Sequence, residues 1–132
     1  MKSLLVFLVT IFLISCCSAQ SQSDMNENEH KNYVRTDQEL NTLYQSILKE
    51  YTEDTAFIKN LKTTQKIWIS FRDAEMKMKY PDREPGYYGT IQPSCWSIYL
   101  ARLTQERINT LKEWEKGDEE GDACSGSVKT KE

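Results

Sequence analysis

Histidine is nearly missing from this chain: of 132 residues only His30 carries an imidazole. A Ser/His/Asp or Cys/His set would have to borrow that one side chain, which sits in a polar stretch away from any candidate nucleophile. No group of cysteines and histidines has metal-ligand spacing, and no glycine-rich loop is placed to cradle a phosphate. Asp73 and Glu75 could supply paired carboxylates, but residues two apart on a helix point in different directions and cannot converge on one bond. The sequence therefore reads as a non-enzymatic protein with no cofactor and no metal. Prolines and glycines are scarce, three and five in all, and two of each fall between Pro81 and Gly89. The rest of the chain is left free to be helical.

Long apolar runs are also lacking. The one candidate, Leu4 to Ile14 behind Lys2, is too short to span a bilayer comfortably and ends in small residues, the pattern of an export signal. Leu13-Ile14-Ser15-Cys16 is similar to a bacterial lipobox, which would make residues 1–15 the signal and Cys16 the lipidated residue, a membrane anchor without a membrane-spanning helix. Cleavage after Cys17-Ser18-Ala19, releasing a soluble protein that begins at Gln20, is the competing reading. Removing residues 1–15 takes away one positive charge, Lys2, and moves the formal charge from −3 to −4. A mildly acidic chain disfavours nucleic acid and suits a basic protein partner.

Residues 16–35 carry few large apolar groups and read as a flexible polar tether, with His30 a solvated residue within it. A single small domain is expected over 36–125, with 126–132 a disordered tail. Thr36 and Glu39 form a capping-box pattern before Leu40, Leu43, Tyr44, Ile47, Leu48 and Tyr51, which have helical spacing. Asp54 or Thr55 is the next N-cap, and the second helix should run from about Ala56 to Tyr80, because a residue before proline is pushed out of the helical region. Thr90 reads as the N-cap of a third helix that accepts Pro93 in its first turn. Trp96, Leu100, Leu103, Arg107, Leu111 and Trp114 make its seam. The expected fold is all-α, a small antiparallel three-helix bundle.

Polar side chains lie in both stripes. On helix two, Phe57, Leu61, Gln65, Trp68, Phe71, Arg72 and Glu75 share one side of the wheel. Buried there, the amide, the guanidinium and the carboxylate need partners. The economical reading is an internal network of Gln65, Arg72, Glu75, Thr104 and Arg107, with Glu75 shared between guanidinium groups of facing helices. In an exported protein, Cys95 and Cys124 are most simply a disulfide that folds the C-terminal tail back along helix three; free or intermolecular thiols are the alternative.

Several stretches together resemble the LprI-type lysozyme-inhibitor family. These are Asp37 to Tyr44, Leu61 with Gln65 through Glu75 (Q-x-x-W-x-x-F-R-D-A), Gly89-Thr90-Ile91, and Leu103-Thr104-Gln105-Glu106-Arg107 with Leu111. The resemblance covers about residues 37–114. It implies a small, exported, often lipid-anchored helical domain whose named representative inhibits lysozyme. Family members often carry cysteines where this chain has Met76 and Tyr99, so the resemblance implies that the usual bridge is replaced by Cys95 to Cys124.

The leading expectation is an envelope protein that binds and inhibits a lysozyme-type muramidase. Arg83, Tyr87 and Tyr88 would contact the enzyme, and Asp118, Glu119 and Glu120 would steer a basic partner. The alternative is an envelope-tethered adaptor that inhibits nothing.

Overall fold

The computed structural model describes residues 2–130, with side chains described from residue 21 onwards. Three helices make up the domain: α1 (Lys2–Glu50), α2 (Thr55–Lys79) and α3 (Gln92–Lys116). Among the described residues there is no strand, only an isolated bridge between Asp118 and Thr130. No helix among them is long and apolar enough to cross a membrane.

The second helix follows its local signals. The Asp54 Oδ1 accepts the Phe57 N–H at 2.9 Å, a side-chain cap on one of the orphan donors of the first turn. Tyr80 closes the helix by donating its N–H to the Met76 carbonyl, immediately before Pro81. The third helix ends at Gly117, whose φ of 76° is one that side-chain-bearing residues rarely adopt. Its start departs from expectation: the N-cap is Ile91 rather than Thr90, with no side-chain cap and with Pro93 in the first turn.

α1 departs further. Thr36 is not an N-cap but lies inside a continuous helix, where its hydroxyl donates to the Asn32 carbonyl at 3.0 Å. Residues 21–35 are therefore helical, not a flexible tether. The reason is a seam at alternating spacings of four and three: Gln22, Asn26, Glu29, Tyr33, Thr36, Leu40, Leu43 and Ile47 are all at least partly buried. On α3, Ser94, Ser97, Ala101, Thr104, Ile108 and Leu111 repeat the pattern, and all six are buried. Small side chains at four of these positions let the two helices approach closely, which makes α1 and α3 the best-packed pair.

The contacts follow a definite order along each helix pair. Along α1 and α3 contacts ascend together, from Asn26 with Ser94 to Tyr51 with Trp114. Along α2 and α3 they run in opposite order, from Phe57 with Trp114 through Gln65 with Arg107 to Glu75 with Tyr99.

Two apolar clusters hold the bundle. Leu40, Leu43, Ile47, Tyr51, Leu61, Ile108 and Leu111 form the larger, covered by Phe57, Trp68 and Trp114. Side chains as fully buried as Ile47 each contribute about 1.5–3 kcal/mol of transfer free energy. Met76, Tyr99 and Leu103 form the smaller. Phe71, placed by the helical wheel on the inner stripe, is 51% exposed and sits on the outer flank of α2.

The C-terminal segment does not fold back along α3. Turns at Glu119–Asp122, Asp122–Ser125 and Ser125–Val128 coil it into a compact loop, closed where the Asp118 N–H donates to the Lys129 carbonyl at 3.0 Å. Cys95 and Cys124 are both free thiols. They lie toward opposite ends of α3, whose 25 residues span about 37 Å, and the coiled loop cannot bridge that distance. Residues 126–130 are held rather than loose: Trp114 Nε1 donates to the Ser127 hydroxyl, and the Lys129 N–H donates to Tyr51 Oη, both at 3.0 Å. Tyr51 Oη in turn donates to the Trp114 carbonyl at 3.1 Å, so one buried phenol ties together α1, α3 and the tail.

Candidate functional site

The polar residues of the seams separate into several local contacts rather than one network. Arg107 Nε donates to Gln65 Oε1 at 3.0 Å, joining α3 to α2. Burial lowers the pKa of the Arg107 guanidinium from its usual value. Arg72 turns the other way, pairing with its neighbour Asp73 at 2.9 Å and reaching Asp37 of α1 at 3.6 Å. Its guanidinium also lies 5.4 Å from the centre of the Trp68 ring, a cation–π contact. Glu75 is not shared between arginines; its carboxylate accepts from the Tyr99 hydroxyl at 3.1 Å. Thr104 is fully buried, but its hydroxyl has no hydrogen-bond partner among the described residues. Two bolts result, Gln65 to Arg107 and Arg72 to Asp37, in place of the expected Glu75-centred clamp.

The loop 81–91 is built on an aromatic base. Tyr80 stacks on Trp96 with ring centres 5.6 Å apart and meets Tyr99 and Tyr88 edge-on at 6.4 and 5.7 Å. Burial raises the pKa of the Tyr80 hydroxyl, with Cys95, Tyr99 and Tyr88 adding to the effect. Tyr88 packs inward and donates to the Pro81 carbonyl at 2.7 Å, pinning both ends of the loop. Tyr87 faces outward, 67% exposed, against the edge of Tyr88. The Arg83 guanidinium lies 5.8 Å from the centre of the Tyr87 ring. The outcome is an exposed amphipathic pair on a rigid floor, with Tyr88 belonging to the floor.

The acidic run does not join this pair. Asp118, Glu119 and Glu120 follow the far end of α3, about 37 Å from the loop at its start. Exposed charges at that distance, several Debye lengths away, are screened from a partner seated on the loop. Cys16 lies outside the residues whose side chains are described. Among the described residues no group of acidic, cysteine or histidine side chains could hold a metal ion.

A set of residues with no local signature completes this end of the molecule. Asn26 Nδ2 donates to the Thr90 carbonyl at 3.2 Å, and its Oδ1 accepts from the Ser94 hydroxyl and from Gln22 Nε2. The loop is thereby anchored to α1 as well as to α3. Polar residues in a helical register with the apolar seam were the only sequence signal for this anchor.

A family model described as lysozyme inhibitor LprI matches residues 16–111. The chain belongs to this family. An uncharacterised protein of Rhizobium meliloti (strain 1021) is 31% identical over 109 residues, covering 74% of this chain and 76% of that protein. No solved structure matches. The match from residue 16 takes in the helical segment around Asn26, not only the apolar core. Met76 and Tyr99 share one buried cluster with Leu103. Apolar contact thus joins α2 to α3 there.

Proposed function

We propose that the protein is an exported, non-enzymatic inhibitor of a lysozyme-type muramidase that presents Arg83 and Tyr87 to the enzyme's cleft. The observation that carries the reading is the exposed pair on its aromatic floor, in a chain of the lysozyme-inhibitor family. A glycosidase that works with two carboxylates offers a negatively charged cleft. A guanidinium can bond a carboxylate there bidentately, and an exposed tyrosine beside it buries a large ring at low entropic cost. Antiparallel packing of α2 against α3, supported by the order of their contacts, closes the bundle under the loop so that it does not have to reorder on binding. Export through the segment ending at residue 15 or 19 leaves either an acylated Cys16 or a soluble protein starting at Gln20.

A cell-wall clearing assay tests the reading, with the protein titrated from below to well above equimolar with a basic lysozyme. Inhibition should be weakened at least tenfold by Arg83→Ala and by Tyr87→Ala, with the melting temperature unchanged. Undiminished clearing at excess protein removes the proposal. Mass spectrometry of the mature protein distinguishes a diacylglycerol-bearing Cys16 from a Gln20 start.

A second reading, an adaptor that docks on another envelope protein, is favoured by the outer flank of α2. Ile67, Phe71 and Met78 line up there at helical spacing, 63%, 51% and 69% exposed. Capture of a membrane or secretion protein from envelope extract, lost on Phe71→Glu and without any muramidase binding, would favour it.

A further inference from the structure

Neither reading uses the cavity between α2 and α3 near Asp54, at the opposite end of α3 from the loop. Its volume is about 460 Å³, and Phe57, Leu61, Leu111 and Trp114 form its apolar wall. Small-molecule pockets range over about 300–1,000 Å³. Phe57 and Trp114 stack with ring centres 5.9 Å apart, which gives the wall a firm aromatic face. Two charged groups line the cavity, Asp54 and Arg107. Asp54 is exposed, and its carboxylate already caps α2. Arg107 takes part in no ion pair among the described residues, and its one described bond goes to the neutral amide of Gln65. A half-buried guanidinium against apolar walls, with donors to spare and no counter-ion, is an anion-binding arrangement waiting for its partner.

We propose that this cavity binds an amphipathic monocarboxylate of the fatty-acid class, with its carboxylate on Arg107 and its chain along Leu61, Phe57, Leu111 and Trp114. Residues 54 to 65 of the helix wall span about 16 Å, which sets the length of chain that can be covered. A second carboxylate at the far end of the ligand would meet Asp54, so monocarboxylates are selected over dicarboxylates. Burial already disfavours the charge on Arg107, and a bound carboxylate would offset that cost.

Isothermal titration of the purified protein with decanoate below its micellar range tests this, with decanol and decyltrimethylammonium as probes of the same chain length. Decanoate should bind at least tenfold more tightly than decanol, and the cation should not bind. Arg107→Gln should weaken decanoate binding at least tenfold. Thr64→Glu, at an exposed position that also lines the cavity, places a carboxylate beside Arg107 and should weaken binding equally without lowering the melting temperature. Should Arg107→Gln fail to fold, Thr64→Glu decides alone. Equal affinity for decanoate and decanol, no decanoate binding, or full binding by Thr64→Glu would overturn the proposal.

Discussion

Replacing Asn26 with alanine tests whether the segment before residue 36 belongs to the domain. In the structure its amide makes three contacts, to the Thr90 carbonyl at 3.2 Å, to Gln22 at 3.1 Å and to the Ser94 hydroxyl. Ser94 is 1% exposed, so losing its acceptor strands a buried hydroxyl, at about 1–3 kcal/mol. The contacts to Gln22 and Thr90 are more exposed and add a few tenths each, while alanine returns a similar amount through its helix propensity. The net loss is about 2 kcal/mol. For a domain of this size that lowers Tm by roughly 8 °C. The loss should also be local. Amide hydrogen exchange followed by mass spectrometry should show residues 22–33 protected in the parent and exchanging much faster in Asn26→Ala, with α2 changed little. Protection that is already absent from 22–33 in the parent would refute the continuous helix and restore a tether.

Thr104→Val removes a buried hydroxyl that has no partner among the described residues and keeps the shape, so it should raise stability by about 1 kcal/mol in urea melts. A fall would mean that the hydroxyl is satisfied in solution. Because Cys95 and Cys124 are free, adding a reductant should leave Tm unchanged, whereas losing a native disulfide would cost about 2–5 kcal/mol; exposed Cys124 should label fast with a maleimide in the native state. Tyr33, Tyr44 and Tyr80 have pKa values raised by burial. The folded state then holds these protons more tightly than the unfolded state, so their contribution is intact below the ordinary tyrosine value of about 10 and is lost as pH rises through the higher folded values. Stability should fall from about pH 10 upward, alongside a late tyrosinate absorbance change. A tyrosinate titration complete at the ordinary value, with the fold intact, would contradict it.

How far the sequence could be read depended on how local the determining chemistry was. Asp54 and Tyr80-Pro81 bound α2 through neighbours within four residues, so both ends were legible. The start of α1 was not. Thr36 and Glu39 spell a capping box, yet the helix runs through them, because Asn26 finds Ser94 68 residues away. A polar seam has the same spacing as an apolar one but shows nothing in local hydropathy, so residues 21–35 resembled a tether. Arg72 and Arg107 lie half-buried along the packed stripes. Which acceptor each would take was decided by helix rotation: Asp37 lies on a helix that the wheel of α2 does not contain. The disulfide failed on the tail's own turns, whose Gly117, Gly121 and Gly126, all at positive φ, coil the chain where an extended strand was needed.

The continuous helix also links the anchor to the choice between the two readings. Cys16 and Asn26 are ten residues apart on α1, a rise of about 15 Å. Asn26 bonds Thr90 at the end of the loop, so an acyl group on Cys16, with the helix intact, would hold Thr90 within roughly that distance of the bilayer. A globular enzyme of even 100 residues has a radius of gyration of about 13 Å, and its full width exceeds the gap. An acyl anchor that close to Thr90 would crowd a muramidase seated on the loop. A start at Gln20 leaves the loop open on every side and agrees with inhibition. An acylated Cys16 instead favours contacts on the side of the bundle, where Ile67, Phe71 and Met78 lie along α2. The mass of the mature N-terminus, measured before any binding experiment, thus weighs the inhibitor against the adaptor on steric grounds alone.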